Sequence, residues 1–148
     1  MSKKSSHNIS LLIQTLYDED GSFTKEDTMY PFELLLVAHF VGDYLAQTEY
    51  EAMNKALGRF FNRALWSHCL KYTLSFVPVF WISSLHPAWL VLIFTSHLFL
   101  DRRWPIIWWR KHINHNSDDS IRATFWLTVM TDQIFHGLIL ALISVVSA

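Results

Sequence analysis

Four hydrophobic stretches of this 148-residue chain each carry polar residues four apart. His39 and Asp43 fall in VAHFVGDYLAQ, His97 and Asp101 in TSHLFLD, Asp132 and His136 in VMTDQIFHGL, and His68 and Tyr72 in WSHCLKYTL. Residues four apart share one face of an α-helix, so each pair forms a polar stripe on an apolar rod. Ionisable groups are costly against hydrocarbon, so such stripes turn inward and read as a functional site. Imidazole and carboxylate together suit zinc, manganese, iron or cobalt better than magnesium, which prefers oxygen alone. His39, Asp43, His97, Asp101, Asp132 and His136 are therefore the expected metal ligands, for one or two ions, with zinc or manganese foremost. His68 is expected as a further ligand or general base, and Tyr72 as a general acid or a hydrogen-bond partner of a ligand. A bound ion would lower the pKa of a coordinated water and supply hydroxide near neutral pH.

The elements that must position these residues follow from composition. Hydrophobic residues make up 51% of the chain and charged residues only 17%, below the roughly 25% of soluble domains. Ala64 to His86 is a 23-residue segment charged only at Lys71, and Ala123 to Ala148 a 26-residue segment charged only at Asp132. Each is long enough to span a hydrocarbon core of about 30 Å. Pro31 to Tyr50 and Ala88 to Leu100 read as two more spans. The expected fold is all-α: a four-helix integral membrane bundle over residues 31–148. Residues 1–30 form a separate extramembrane segment, in which Ile9, Leu12, Ile13, Leu16 and Tyr17 mark a short amphipathic helix. The following DEDGSFTKED reads as a solvated acidic turn, because Leu16 stands where a calcium loop needs an Asp. The near-neutral charge excludes an electrostatic grip on nucleic acid. The single cysteine, Cys69, excludes an intrachain disulfide framework and a Cys-rich zinc site.

Lys55, Arg59 and Arg63 lie between the first two spans, and Arg102, Arg103, Arg110, Lys111 and Arg122 between the last two. Basic loops stay cytoplasmic, so both termini are expected outside. Counted inward from the cytoplasmic ends, Gln47, His68 and His97 lie about five residues deep. Asp43, Tyr72 and Asp132 lie about nine deep, and His39 and His136 about thirteen. Asp101 sits near the rim. Independent structural hydrogen bonds have no reason to share depths; one convergent site does. Gly42 and Gly137, beside polar residues, are expected to permit close helix approach, and Lys71 to snorkel to the surface.

The segments LLLVAHFVGDYLAQTEYEAMNK, LWSHCLKYTL, TSHLFLDRRW and TDQIFHGLILAL together resemble, in order, a small membrane family of bacteria and phages, domain of unknown function 3307. The resemblance covers about residues 31 to 146. His39, Asp43, Gln47, Asn54, Lys55, His68, His97, Asp101, Asp132 and His136 match its motif, which implies a shared site and, for localisation, the bacterial inner membrane. Gln47, Asn54, Lys55, Arg102 and Arg103 are the expected substrate or ligand-supporting residues, the two arginines through attraction of an anionic headgroup. Three functions fit: a metal-dependent hydrolase acting on a lipid or lipid-linked substrate, a proton or divalent-ion transporter working as a homo-oligomer, and a non-catalytic metal-stabilised effector acting through partners. Membrane lipid is the expected partner in each.

Overall fold

The computed structural model describes residues 31–57 and 61–147. The expected N-terminal amphipathic helix and acidic turn lie outside the described residues, as does Arg59. The described residues are helical and contain no strand, in agreement with the all-α expectation. In chain order, α1 is Pro31–Phe40, followed by a π-helical turn at Val41–Leu45. Then come α2 (Glu49–Asn54), α3 (Arg63–Ser75), α4 (Val77–Ile82), α5 (Ala88–Leu100), α6 (Trp104–His112), α7 (Asp118–Ala123) and α8 (Phe125–Ser147).

Only α8, with 23 residues, is long and apolar enough among the described residues to cross a membrane by length and composition. The three other expected spans are interrupted for local reasons. The first leaves α-geometry at the π-turn. The second breaks at Phe76, because Pro78 near the start of α4 cannot continue the hydrogen-bond ladder of α3. The third, α5, has 13 residues and is about 20 Å long at ordinary rise. It ends at Asp101, after which Arg103 adopts left-handed φ of 58° and turns the chain into α6.

Helix α1 packs on α8, α8 on α5, α5 on α3, and α3 on the π-turn, which closes a ring of four helical segments. Leu35, Ala38, Phe76, Phe80, Ile93, Leu140 and Ile143 fill its apolar interior. Gly42 makes the closest approach: a Cβ there would lie 3.0 Å from the Tyr72 Cα and 2.8 Å from the Ser75 Oγ. Gly137 differs from expectation, since a Cβ there would meet nothing within 4 Å. Its face of α8 is open, so it permits no close packing.

Two buried charged residues fasten the smaller helices. Glu51 forms a capping box with Thr48 at the start of α2. It also accepts hydrogen bonds from Ser67 (2.7 Å) and Lys71 (2.5 Å) on α3. Lys71 thus bonds Glu51 and the Ala46 carbonyl (2.8 Å), instead of reaching freely to the surface. Burial raises the Glu51 pKa, but the bonds from Lys71, Thr48 and Ser67 prevail and hold it down at about 2. Arg110 of α6 is fully buried. Its guanidinium donates to the Thr128 Oγ1 at 2.6 Å and the Thr124 Oγ1 at 2.8 Å, and so anchors α6 to the first turns of α8.

Candidate metal centre

Two of the three acidic residues of the site sit where a helix changes geometry or ends. Asp43 lies in the π-turn, whose wider i→i+5 closure (Ala46 N–H to Val41 carbonyl, 2.9 Å) turns it inward. Asp101 caps the C-terminus of α5. Asp132 and His136 lie on successive turns of α8, and His68 and Tyr72 on successive turns of α3.

These placements bring Asp43, His68, His97 and Asp101 together, all buried, with one donor atom of each within 4.8 Å of the others. The His68 and His97 Nε2 atoms are 2.9 Å apart. The Asp101 Oδ2 lies 3.0 Å from the His68 Nε2 and 3.2 Å from the His97 Nε2. The Asp43 Oδ1 is 3.2 Å from the His68 Nε2 and 4.0 Å from the His97 Nε2. A second set, Asp101, Asp132 and His136, meets the same distance limit and shares Asp101 with the first. Imidazole and carboxylate donors so close together and out of water are what a transition ion requires.

Lys55 enters this cluster from the end of α2. Its Nζ lies 3.0 Å from the Asp101 Oδ2, 3.4 Å from the Asp43 Oδ1 and 3.1 Å from the His68 Nε2, and it donates to the Gln47 Oε1 at 2.7 Å. Burial works against the ammonium charge, but Asp101 and Asp43 outweigh it, and the pKa is raised above the ordinary lysine value.

His39, expected as a ligand, stands behind the cluster instead. The Tyr72 hydroxyl donates to its Nδ1 (2.9 Å), and its Nε2–H donates to the Gln133 Oε1 (2.9 Å). The Gln133 amide then donates to the Asp43 Oδ2 at 2.7 Å. Both imidazole nitrogens of His39 are thereby engaged, and the chain of bonds orients Asp43. The Tyr72 ring also stacks on His97, with centroids 3.5 Å apart. His39 and His136, expected at equal depth, stack with centroids 5.5 Å apart.

The residue model for proteins of unknown function catalogued as DUF3307 matches residues 32–148. The chain belongs to this family. No curated protein and no solved structure matches.

In this DUF3307 domain the cluster forms one wall of a cleft of about 190 Å³. Asp43, Gln47, Lys55, Asp101, Asp132 and Gln133 line it together with Arg103, Ile106 and Thr128. Of the supporting residues expected from sequence, Gln47, Lys55 and Arg103 face the cleft. Arg103 holds its guanidinium 5.0 Å from the centroid of the Phe125 ring. Asn54 instead bonds the Tyr50 carbonyl on its own helix (2.8 Å), and Arg102 lines a separate groove with Thr95, Phe99 and Trp104. Two residues of the DUF3307 site escaped the sequence reading. Gln133 gave no signal, being a neutral amide beside Asp132. Glu51 had one, since Thr48 three residues before it is a capping-box pattern.

Proposed function

We propose that this DUF3307 protein is a divalent-metal-dependent hydrolase of the membrane, acting on an anionic ester or acyl group of a lipid or lipid-linked molecule. The observation that carries this reading is the pair of donor sets that share Asp101 and whose three aspartates line a small cleft. A transition ion held there would polarise the scissile group and supply hydroxide from a coordinated water. Water would add across the ester or acyl bond, and the leaving alcohol or amine would take the remaining proton. Asp43 is held in one orientation by the Tyr72–His39–Gln133 chain of bonds, as partners of ligands typically are. Arg103 and Lys55, both facing the cleft, suit an anionic substrate.

Lipid involvement draws support from the outer surface. Val37 and Phe40 of α1, Leu70 and Leu74 of α3, Trp81 of α4, Val91 and Phe99 of α5, and Ile134, Leu138 and Leu142 of α8 are all exposed. Large apolar side chains exposed on five helices suit a lipid environment, and lipid would cover them. An apolar groove of about 430 Å³, lined by Phe99, Trp104, Trp108 and Phe135, adjoins the cleft through Ile106. An acyl chain fits its chemistry. In a membrane, the basic residues after α5 would favour the cytoplasmic side, which would put Arg102 and Arg103 at that face.

Transport of protons or divalent ions is the second reading, and the continuous Tyr72–His39–Gln133–Asp43 chain of hydrogen bonds favours it. Purified protein reconstituted in liposomes separates the two. Release of phosphate or fatty acid from defined lipids, dependent on added zinc or manganese and lost in Asp101→Asn, supports the hydrolase. Proton or metal flux without turnover supports transport.

A further inference from the structure

We propose that the centre binds a single divalent transition ion through Asp101, Asp132 and His136, and that the Lys55 ammonium supplies the other positive charge at the Asp43–His68–Asp101 face. The inference rests on the metal reading above and fixes where the ion sits and how many there are.

The two donor sets differ in what already contacts them. In the four-residue set the Lys55 Nζ touches three of the four donors at 3.0 to 3.4 Å. The Nε2 atoms of the fourth, His97, and of His68 lie 2.9 Å apart. An ion among these donors would press against the ammonium, and two cations in contact repel strongly in a buried site. The Nδ1 atoms of His68 and His97 also lack the hydrogen bond that normally fixes the tautomer of a ligating imidazole.

His136 has that bond. Its Nδ1–H donates to the Asp132 carbonyl at 2.9 Å, which leaves the lone pair on Nε2. That Nε2, the Asp132 Oδ1 and the Asp101 Oδ1 are buried with no hydrogen-bond partner among the described residues. Such atoms are costly unless something pairs with them. A divalent ion would satisfy all three residues. Three protein ligands are the number that leaves a coordination position open for water or substrate. Asp101 and Asp132 line the cleft, so that position would face it.

Charge gives an independent count. The carboxylates of Asp43, Asp101 and Asp132 carry three negative charges, and Lys55 returns one. One divalent ion makes the group neutral. Two ions beside the ammonium would leave a buried excess of two positive charges, which low-dielectric surroundings penalise. Arg103, which also lines the cleft, is then the surplus cation that an anionic substrate would meet. Lys55 also lines the cleft and would lie beside the same anion.

The test is metal analysis of detergent-purified full-length protein, loaded with zinc or manganese and dialysed. We expect one equivalent per chain in the wild type. His136→Ala and Asp132→Asn should fall at least tenfold, and His68→Ala should keep its ion. Lys55→Met should gain a second equivalent, a result that misfolding cannot imitate. Two equivalents in the wild type would overturn the inference and leave the metal reading standing. So would an ion lost from His68→Ala and kept by His136→Ala. A Lys55→Met protein that still holds one ion would overturn the role given to the ammonium. A wild type that takes up no metal would instead sink the metal reading itself, and this inference with it.

Discussion

Gln133 donates a hydrogen bond of 2.7 Å to the Asp43 Oδ2 and so joins the long C-terminal helix to the π-turn, 90 residues earlier in the chain. Its other amide atom accepts from His39, which in turn accepts from Tyr72. A neutral amide is thus the link between the His39 imidazole and the Asp43 carboxylate. Asp43 pairs with Lys55 beside the Asp101, Asp132 and His136 donors, and removing such supporting partners of a metal centre typically changes affinity or activity by about 10–100-fold. Gln133→Ala and His39→Ala should each weaken activity by roughly that factor while keeping metal at saturating concentration. Titration against a competing chelator checks this. Complete loss of metal in His39→Ala would return that histidine to the ligands.

The glycines offer a paired test of packing. Gly42→Ala places a methyl against the Tyr72 Cα, which is backbone and cannot swing away. Overpacking of this kind costs about 1–3 kcal/mol. Gly137→Ala meets open space within helix α8 and should stabilise by about 0.5–1 kcal/mol, the ordinary gain for alanine over glycine in a helix. Unfolding in detergent, monitored by helicity, should rank Gly137→Ala above wild type and Gly42→Ala below it. Equal stabilities for the two variants would contradict the packing.

Glu51 carries a pH dependence whose sign follows from its depressed pKa of about 2. The folded state holds its proton less tightly than the unfolded chain, whose carboxyl titrates near the ordinary 4.5. Its contribution is therefore complete above about 4.5 and is lost as pH falls through about 2. The stability of Glu51→Gln should change less across that window than the wild type does. Since Glu51 pins α2 to α3 and α2 carries Lys55, this variant should also reduce activity near neutral pH. Parallel melting curves for both proteins across that acidic window would remove Glu51 from the fastening of α2.

Much of the site was legible in the sequence, because the pairs His39–Asp43, His97–Asp101 and Asp132–His136 obey helical spacing, and spacing survives any packing. Which member of a pair holds an ion was not legible. His39 and His136 look alike in one dimension, and only the neighbours Tyr72 and Gln133 set them apart. Lys55 was visible as a basic residue after the first apolar stretch, but the short α2 that aims it inward is set by the tertiary contacts of Glu51. Helicity followed from composition, whereas helix continuity did not. Pro78 marks the break after Phe76, and the π-turn at Val41–Leu45 has no comparable local signal. Asp101 at the end of α5 depends on the left-handed Arg103, a conformation that non-glycine sequence does not announce.

The exposed apolar surface makes a prediction about solution behaviour. Trp81 is 88% exposed and Val145 75%, and both belong to faces that lipid would cover. The protein should stay with membranes after an alkaline carbonate wash and come off only in detergent. Brominated lipids should quench its tryptophan fluorescence. Recovery of a monodisperse protein from the wash without detergent would contradict the membrane assignment.

Asp101 belongs to both donor sets of buried His and Asp side chains, so no placement of the ion can dispense with it. The most direct test is the metal content of purified wild type and Asp101→Asn, measured with the helicity of each as a folding control. Stoichiometric zinc or manganese is expected in the wild type and none in a folded Asp101→Asn protein. A folded wild type that remains free of transition metal after supplementation would contradict the metal reading.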